Sequence, residues 1–94
     1  MQYQKVVSLN MNSKHIKTLT EIFTDPVGGS IEWRKIEALF VACGAITIEG
    51  NGSRVRFELS GIVATFHRPH PEKEAKRYQV RDAREFLIKA GVTP

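Results

Sequence analysis

The chain has 94 residues, of which 41% are apolar, and its 14 lysines and arginines outweigh its 10 aspartates and glutamates for a formal net charge of +4. That length leaves room for one small core, and apolar residues spread along the whole chain exclude wholesale disorder. A single cysteine excludes an internal disulfide, no stretch reaches membrane-spanning length, and the N-terminus lacks the charged-then-apolar order of a signal peptide, so a cytoplasmic, reducing environment is expected.

Residues 1–11, MQYQKVVSLNM, show no clear period and read as an N-terminal extension. A single domain is expected over 12–94, with its core in 31–92. Asn12 and Ser13 can cap a helix in which Ile16, Leu19, Ile22 and Phe23 recur at helical spacing, and Asp25-Pro26 ends it. Gly28-Gly29 is a turn. Ser30 is the expected start of a second helix, with Glu32 at the positive end of its dipole. Ile36, Leu39, Phe40 and Cys43 form the core stripe of that helix, Trp33 stands at the edge of the core, and Gly44 stops the helix.

The next segment reads as β-structure. AITIE is rich in β-branched residues, and GNG at 50–52 is a strong turn signal. If Ser60-Gly61 is a two-residue hairpin loop, Leu59 faces Ile62, Phe57 faces Ala64 and Val55 faces Phe66. All six are apolar and share one face. The opposite face then carries Arg54, Arg56 and Glu58 against His67, Thr65 and Val63. A slip of one residue would bury the arginines, so the alternation fixes the register. Pro69 and Pro71 break the strand, and EKEAKR is a charged loop. A closing helix from about Tyr78 to Ala90 turns Val80, Ala83 and Leu87 to the core and ends at Gly91. The expected architecture is α+β: two helices, a three-stranded antiparallel sheet and a last helix, with the helices on one face of the sheet.

Three chemistries compete for the polar residues. His67 and His70 have suggestive spacing for a metal, but no third ligand is evident and Arg68 and Lys73 would repel a cation. Cys43 lies in an apolar stripe, where a thiol is usually inert packing. The third is RNA recognition with acid–base catalysis. The register sets Arg54 directly across from His67. Cleavage through a 2′-hydroxyl needs a base, an acid and a cation for the charge developing on phosphate, which histidine and arginine can supply. The alternative is a charged face that meets only water. Arg77, Arg81 and Arg84 form a further cationic stripe at i, i+4 and i+7, and the excess of base over acid between Arg68 and Lys89 points to a polyanionic partner.

From Ile31 to Val92 the sequence resembles HicA-type toxins, the small ribonucleases of bacterial toxin–antitoxin modules. The carrying features are WRKIEALFVACGA, GNGSRVRF, FHRPHPEKE and FLIKAGV, in that order. The resemblance implies a double-stranded-RNA-binding-like α-β-β-β-α fold, to which residues 13–24 add an extra N-terminal helix. It implies metal-independent cleavage of mRNA without a cofactor, and neutralisation by a HicB-type antitoxin. Gly52 and Ser53 match the Gly-Ser that precedes the family's catalytic histidine, but Arg54 occupies the histidine's position. His70, Lys73 and Glu74 fall on the family's His-then-Lys-Glu pattern. The expected catalytic residues are therefore His67, Arg54 and His70. The expected nucleic-acid contacts are Ser53, Arg54, Arg56, Arg68, Lys73, Arg77, Arg81 and Arg84. A non-catalytic module that binds nucleic acid or protein is the alternative.

Overall fold

A computed structural model describes residues 11–94; the extension expected at 1–11 lies, except for Met11, outside the described residues. Helix α1 spans Ser13–Ile22, and the Asn12 side chain caps it by accepting from the His15 N–H at 3.0 Å. Leu19 and Ile22 enter the core, and Phe23 packs beside them. Ile16 does not: it is half exposed. The buried stripe runs through Thr18, Ile22 and Leu19, and at 3.6 residues per turn Ile16 lies roughly 110° around the helix from its centre.

Helix α2 spans Trp33–Ala42, three residues later than Ser30 would start it, and Glu32 takes the N-cap position with no side-chain cap bond. Residues 31–33 are held extended by a distant partner. The Ala75 N–H donates to the Ile31 carbonyl at 2.8 Å, the Trp33 N–H donates to the Lys73 carbonyl at 2.9 Å, and Glu32 bridges Glu74. Ile36, Leu39 and Phe40 are fully buried, while Cys43 is only half buried. Gly44, at φ +103°, ends α2 in a Schellman motif closed by Ala45 N–H to Phe40 O and Gly44 N–H to Val41 O.

Strands β1 (Ile46–Glu49), β2 (Arg54–Leu59) and β3 (Ile62–His67) form an antiparallel meander in the order β1-β2-β3. The β2–β3 register pairs Arg54 with His67, Val55 with Phe66, Phe57 with Ala64 and Leu59 with Ile62, as the alternation requires. Ser60 (φ 53°) and Gly61 (φ 78°) form the turn; two left-handed residues in succession match the twist of the strands they join. Helix α3 (Arg77–Lys89) follows and ends at Gly91 in a second Schellman motif, with Val92 N–H donating to Leu87 O.

The core lies between the helices and one face of the sheet. Phe40 is its centre, with ring centroids 5.0 Å from Phe57, 5.0 Å from Phe86 and 5.8 Å from Phe66, while Trp33 lies 5.2 Å from Phe66. Val55, Phe57, Leu59 and Phe66 are buried beneath α2 and α3. The element order after α1 is α-β-β-β-α, the arrangement of a double-stranded-RNA-binding-like fold.

Candidate nucleic-acid interface

Among the described residues, no helix covers the second face of the sheet. Cross-strand partners share a face, so its rows are Ile46, Glu58 and Val63, then Ile48, Arg56 and Thr65, then Arg54 and His67. The face is apolar at one end, where Ile46 and Val63 are largely exposed, and cationic at the other. Arg54, Arg56 and His67 are all exposed. Among the described residues their side chains make no hydrogen bond or ion pair, so they are available to a ligand.

The backbone around Arg54 is fixed from several sides. The Gly50 N–H donates to the Arg54 carbonyl at 2.9 Å, the Arg54 N–H donates to Asn51 O at 3.1 Å, and the Arg68 N–H donates to Ser53 O at 2.9 Å. A Cβ at Gly50 would meet the Arg54 carbonyl at 3.1 Å and the Arg54 Cβ at 3.2 Å, so glycine permits this close approach. Beside it lies a shallow cavity of about 250 Å³ lined by Ile48, Glu49, Gly50, Asn51, Arg54 and Arg56. At the other end of the row, buried Gln79 donates its amide to the His67 carbonyl at 2.6 Å and accepts the Lys76 N–H at 2.9 Å. One side chain thus ties the end of β3 to the start of α3.

The expected contacts do not all share this face. Arg68 lies on the core side of the sheet, two residues beyond Phe66. Its guanidinium donates to Glu37 (2.6 and 3.2 Å) and to Glu49 (2.7 and 2.9 Å), joining α2 to β1. The Trp33 indole N–H completes the shell of Glu37. These bonds push the Arg68 guanidinium pKa upward, through Glu49 first and Glu37 second, and the bond from Arg68 holds the Glu49 carboxyl below the usual carboxylate range. Arg84 donates to the carbonyls of Ile22 (3.0 Å) and Thr24 (3.1 Å) and to Asp25 (3.1 Å), and its guanidinium covers the Phe23 ring at 5.7 Å. It thereby satisfies carbonyls at the C-terminal end of α1. Arg77 donates to the Val27 carbonyl at 3.2 Å and lies against Gly29.

Ser53, His70, Lys73 and Arg81 are exposed. Lys73 lends its backbone to the bridge with residues 31–33, and its side chain makes no ion pair among the described residues. The tethering residues Gln79 and Glu37 were not expected from sequence. A glutamine on the core stripe of a helix is a detectable signal, because a buried amide needs partners; Glu37 carries the weaker signal of a carboxylate one turn after Trp33. Among the described residues no three of His, Cys, Asp or Glu gather as metal ligands, and no helix is long and apolar enough to cross a membrane.

No curated protein and no solved structure matches the chain. A family model described as the HicA toxin of bacterial toxin–antitoxin systems matches residues 33–92, from the first residue of α2 to the Schellman motif after α3. That span covers well over half of the sequence and includes the whole sheet, and the chain therefore belongs to the HicA toxin family.

Proposed function

We propose that this toxin-family chain acts on RNA, cleaving mRNA in the cytoplasm by metal-independent transesterification, and that a HicB-type antitoxin silences it by covering the open sheet face. The observation that carries this reading is the cross-strand pair of Arg54 and His67 on the sheet face that no described helix covers, with Arg56 beside it. His67 takes the proton of the 2′-hydroxyl as that oxygen attacks phosphorus. Arg54 and Arg56 hold the non-bridging oxygens, whose charge grows in the transition state. The 5′-oxygen leaves with a proton for which His70 is the candidate donor. Ser53 and Lys73 extend the contact along the backbone, while Arg81, on the side of α3 turned away from the sheet, lies apart from it. Arg68, Arg77 and Arg84 serve it indirectly, by fixing the elements that carry the site.

Expression of His67→Ala and His70→Ala variants, with growth and RNA integrity recorded, tests the assignment. Loss of the base lowers cleavage about a hundred-fold or more and abolishes growth arrest. Cleavage at the parental rate by His67→Ala would refute its role.

A second reading is a module that binds RNA or protein without cutting. It is favoured by the arginine that the family resemblance sets at the histidine position, and by the lack of any hydrogen bond orienting the His67 ring among the described residues. Retention of intact RNA by the parental protein, with no fragments at any time, distinguishes it.

A further inference from the structure

We propose that the cleft between α1 and α2 is a second phosphate-binding surface, which takes the RNA backbone independently of the open sheet face. The inference rests on the RNA-directed reading but concerns residues outside that site. The cleft encloses about 600 Å³. Lys14, His15 and Lys17 line it from α1, and Arg34 and Lys35 line it from α2; among the described residues Glu21 is the lone carboxylate in the lining. Lys14, Lys17 and Lys35 make no ion pair among the described residues. Arg34 is bonded to Glu32 at 2.7 Å yet remains highly exposed, leaving donors for a ligand. The same bond is the main reason the Glu32 carboxyl sits below its ordinary range.

A solvated helix face would spread such charges and intersperse both signs. Here two helices turn cations of one sign into a single concavity, where the walls focus the field on an anion. Repulsion among the lysines is relieved only when negative charge enters. The cleft is also pre-formed. Asn12 caps α1, Leu19 and Ile22 anchor it in the core, and Arg84 grips its last carbonyls. Its walls do not have to be ordered when a ligand arrives. Among the described residues the lining holds no Phe, Tyr or Trp and so offers bases no stacking platform. Lysine ammonium groups in such a setting contact phosphate and are indifferent to sequence. Helix α1 lies outside the family match at 33–92, so this cleft is built by a segment added to the matched unit.

The test is a salt titration of binding to a fluorescein-labelled, uridine-rich RNA of about 20 nucleotides, read by anisotropy, since each phosphate contact on a single strand contributes about 0.7 to the slope of log K against log salt. Parental protein is compared with Lys14→Glu/Lys17→Glu/Lys35→Glu and with Arg54→Ala/Arg56→Ala, each checked for folding by circular dichroism. The triple variant should lose about 2 from the slope, three contacts' worth, while the sheet variant loses its own increment independently. Glu21→Gln should tighten binding several-fold, a gain that loosened folding could not produce. If the glutamate variant fails to fold, Lys14→Gln/Lys17→Gln/Lys35→Gln replaces it.

A parental slope in a folded lysine variant overturns the cleft; if the sheet variant still weakens binding, the RNA-directed reading survives. An unchanged slope combined with lost retention of a partner protein from host extract also overturns it, and assigns the cleft to protein. If the parental chain binds no RNA, both readings fall together.

Discussion

Replacing Arg68 with alanine separates a structural role from a nucleic-acid role for this residue. The guanidinium spans Glu37 and Glu49 through four contacts between 2.6 and 3.2 Å. The two halves differ in exposure: the Glu37 side chain is 20% exposed and that of Glu49 65%. The outer half is a surface pair to an exposed carboxylate and contributes little net stability. The inner half is a charge-assisted bond to a largely shielded carboxylate, and its loss leaves Glu37 with the Trp33 indole alone, a cost of about 2 kcal/mol. Arg68→Ala should therefore destabilise by about 2 kcal/mol, which in a domain of this size lowers Tm by roughly 8–16 °C. Glu49→Gln should lower Tm far less than Arg68→Ala does. Glu49 also gives the pH dependence its sign. Its carboxyl is depressed in the folded state, so its contribution is complete above the ordinary carboxylate range and is lost as pH falls through the folded value. Parental protein should lose more Tm on acidification from about pH 6 to pH 3 than Glu49→Gln does. The assay is thermal unfolding by circular dichroism, paired with RNA anisotropy. An Arg68→Ala variant that melts within about 3 °C of the parent while losing RNA affinity would refute the structural role and return Arg68 to the binding surface.

Two further outcomes follow from side chains inside the fold. Gln79→Ala should cost about 2–3 kcal/mol in urea unfolding, because it strands the His67 carbonyl and the Lys76 N–H, and it should weaken toxicity through displacement of His67; a cost under about 0.5 kcal/mol would contradict the tether. Burial pushes the Cys43 thiol up to about 11, so iodoacetamide at pH 8 should label the native chain roughly a hundred-fold more slowly than the urea-unfolded chain, and equal rates would show that the thiol is not shielded.

The hairpin was the most legible part of the fold, because each signal in it constrains the same register. Apolar residues at 55, 57 and 59 and at 62, 64 and 66 alternate about a Ser-Gly pair, and only one pairing keeps both alternations on one face. The start of α2 was not legible. Ser30 is a competent cap, but the segment that holds 31–33 extended lies at 73–75, about 40 residues away, and no local propensity reports such a pairing. Ile16 misled for a related reason. An apolar residue at helical spacing belongs to the stripe only if it falls within the arc that the rest of the fold covers, and α1 presents Thr18 there instead.

The cations divide by the same geometry, and the division was partly recoverable from sequence. On α3 the buried residues Gln79, Val80, Ala83, Phe86 and Leu87 fix the buried direction. Measured from it at 3.6 residues per turn, Arg84 lies roughly 100° away, Arg77 roughly 120° and Arg81 roughly 160°. A guanidinium about 100° from the core centre can reach a neighbouring helix end, as Arg84 does at Ile22 and Thr24, whereas one near 160° points away from the core. Three arginines that look equivalent as i, i+4 and i+7 are therefore two braces and one charge without an ion pair among the described residues. Strand parity sorts the sheet in the same way. Arg54 and Arg56 alternate with Val55 and Phe57 and stay on the open face, while Arg68 continues the parity of Phe66 and turns toward Glu37. Parity and helical angle fix which way each charge points, but whether an inward-pointing charge is neutralised depends on a carboxylate from another element. Glu37 lies 31 residues from Arg68, and that contact exists only once α2 has docked on the sheet. Net charge thus overstates what the surface offers to RNA at one end of the chain. At the other end it draws no attention to the lysines of α1 and α2, which become a single feature only when two helices bring them to one cleft.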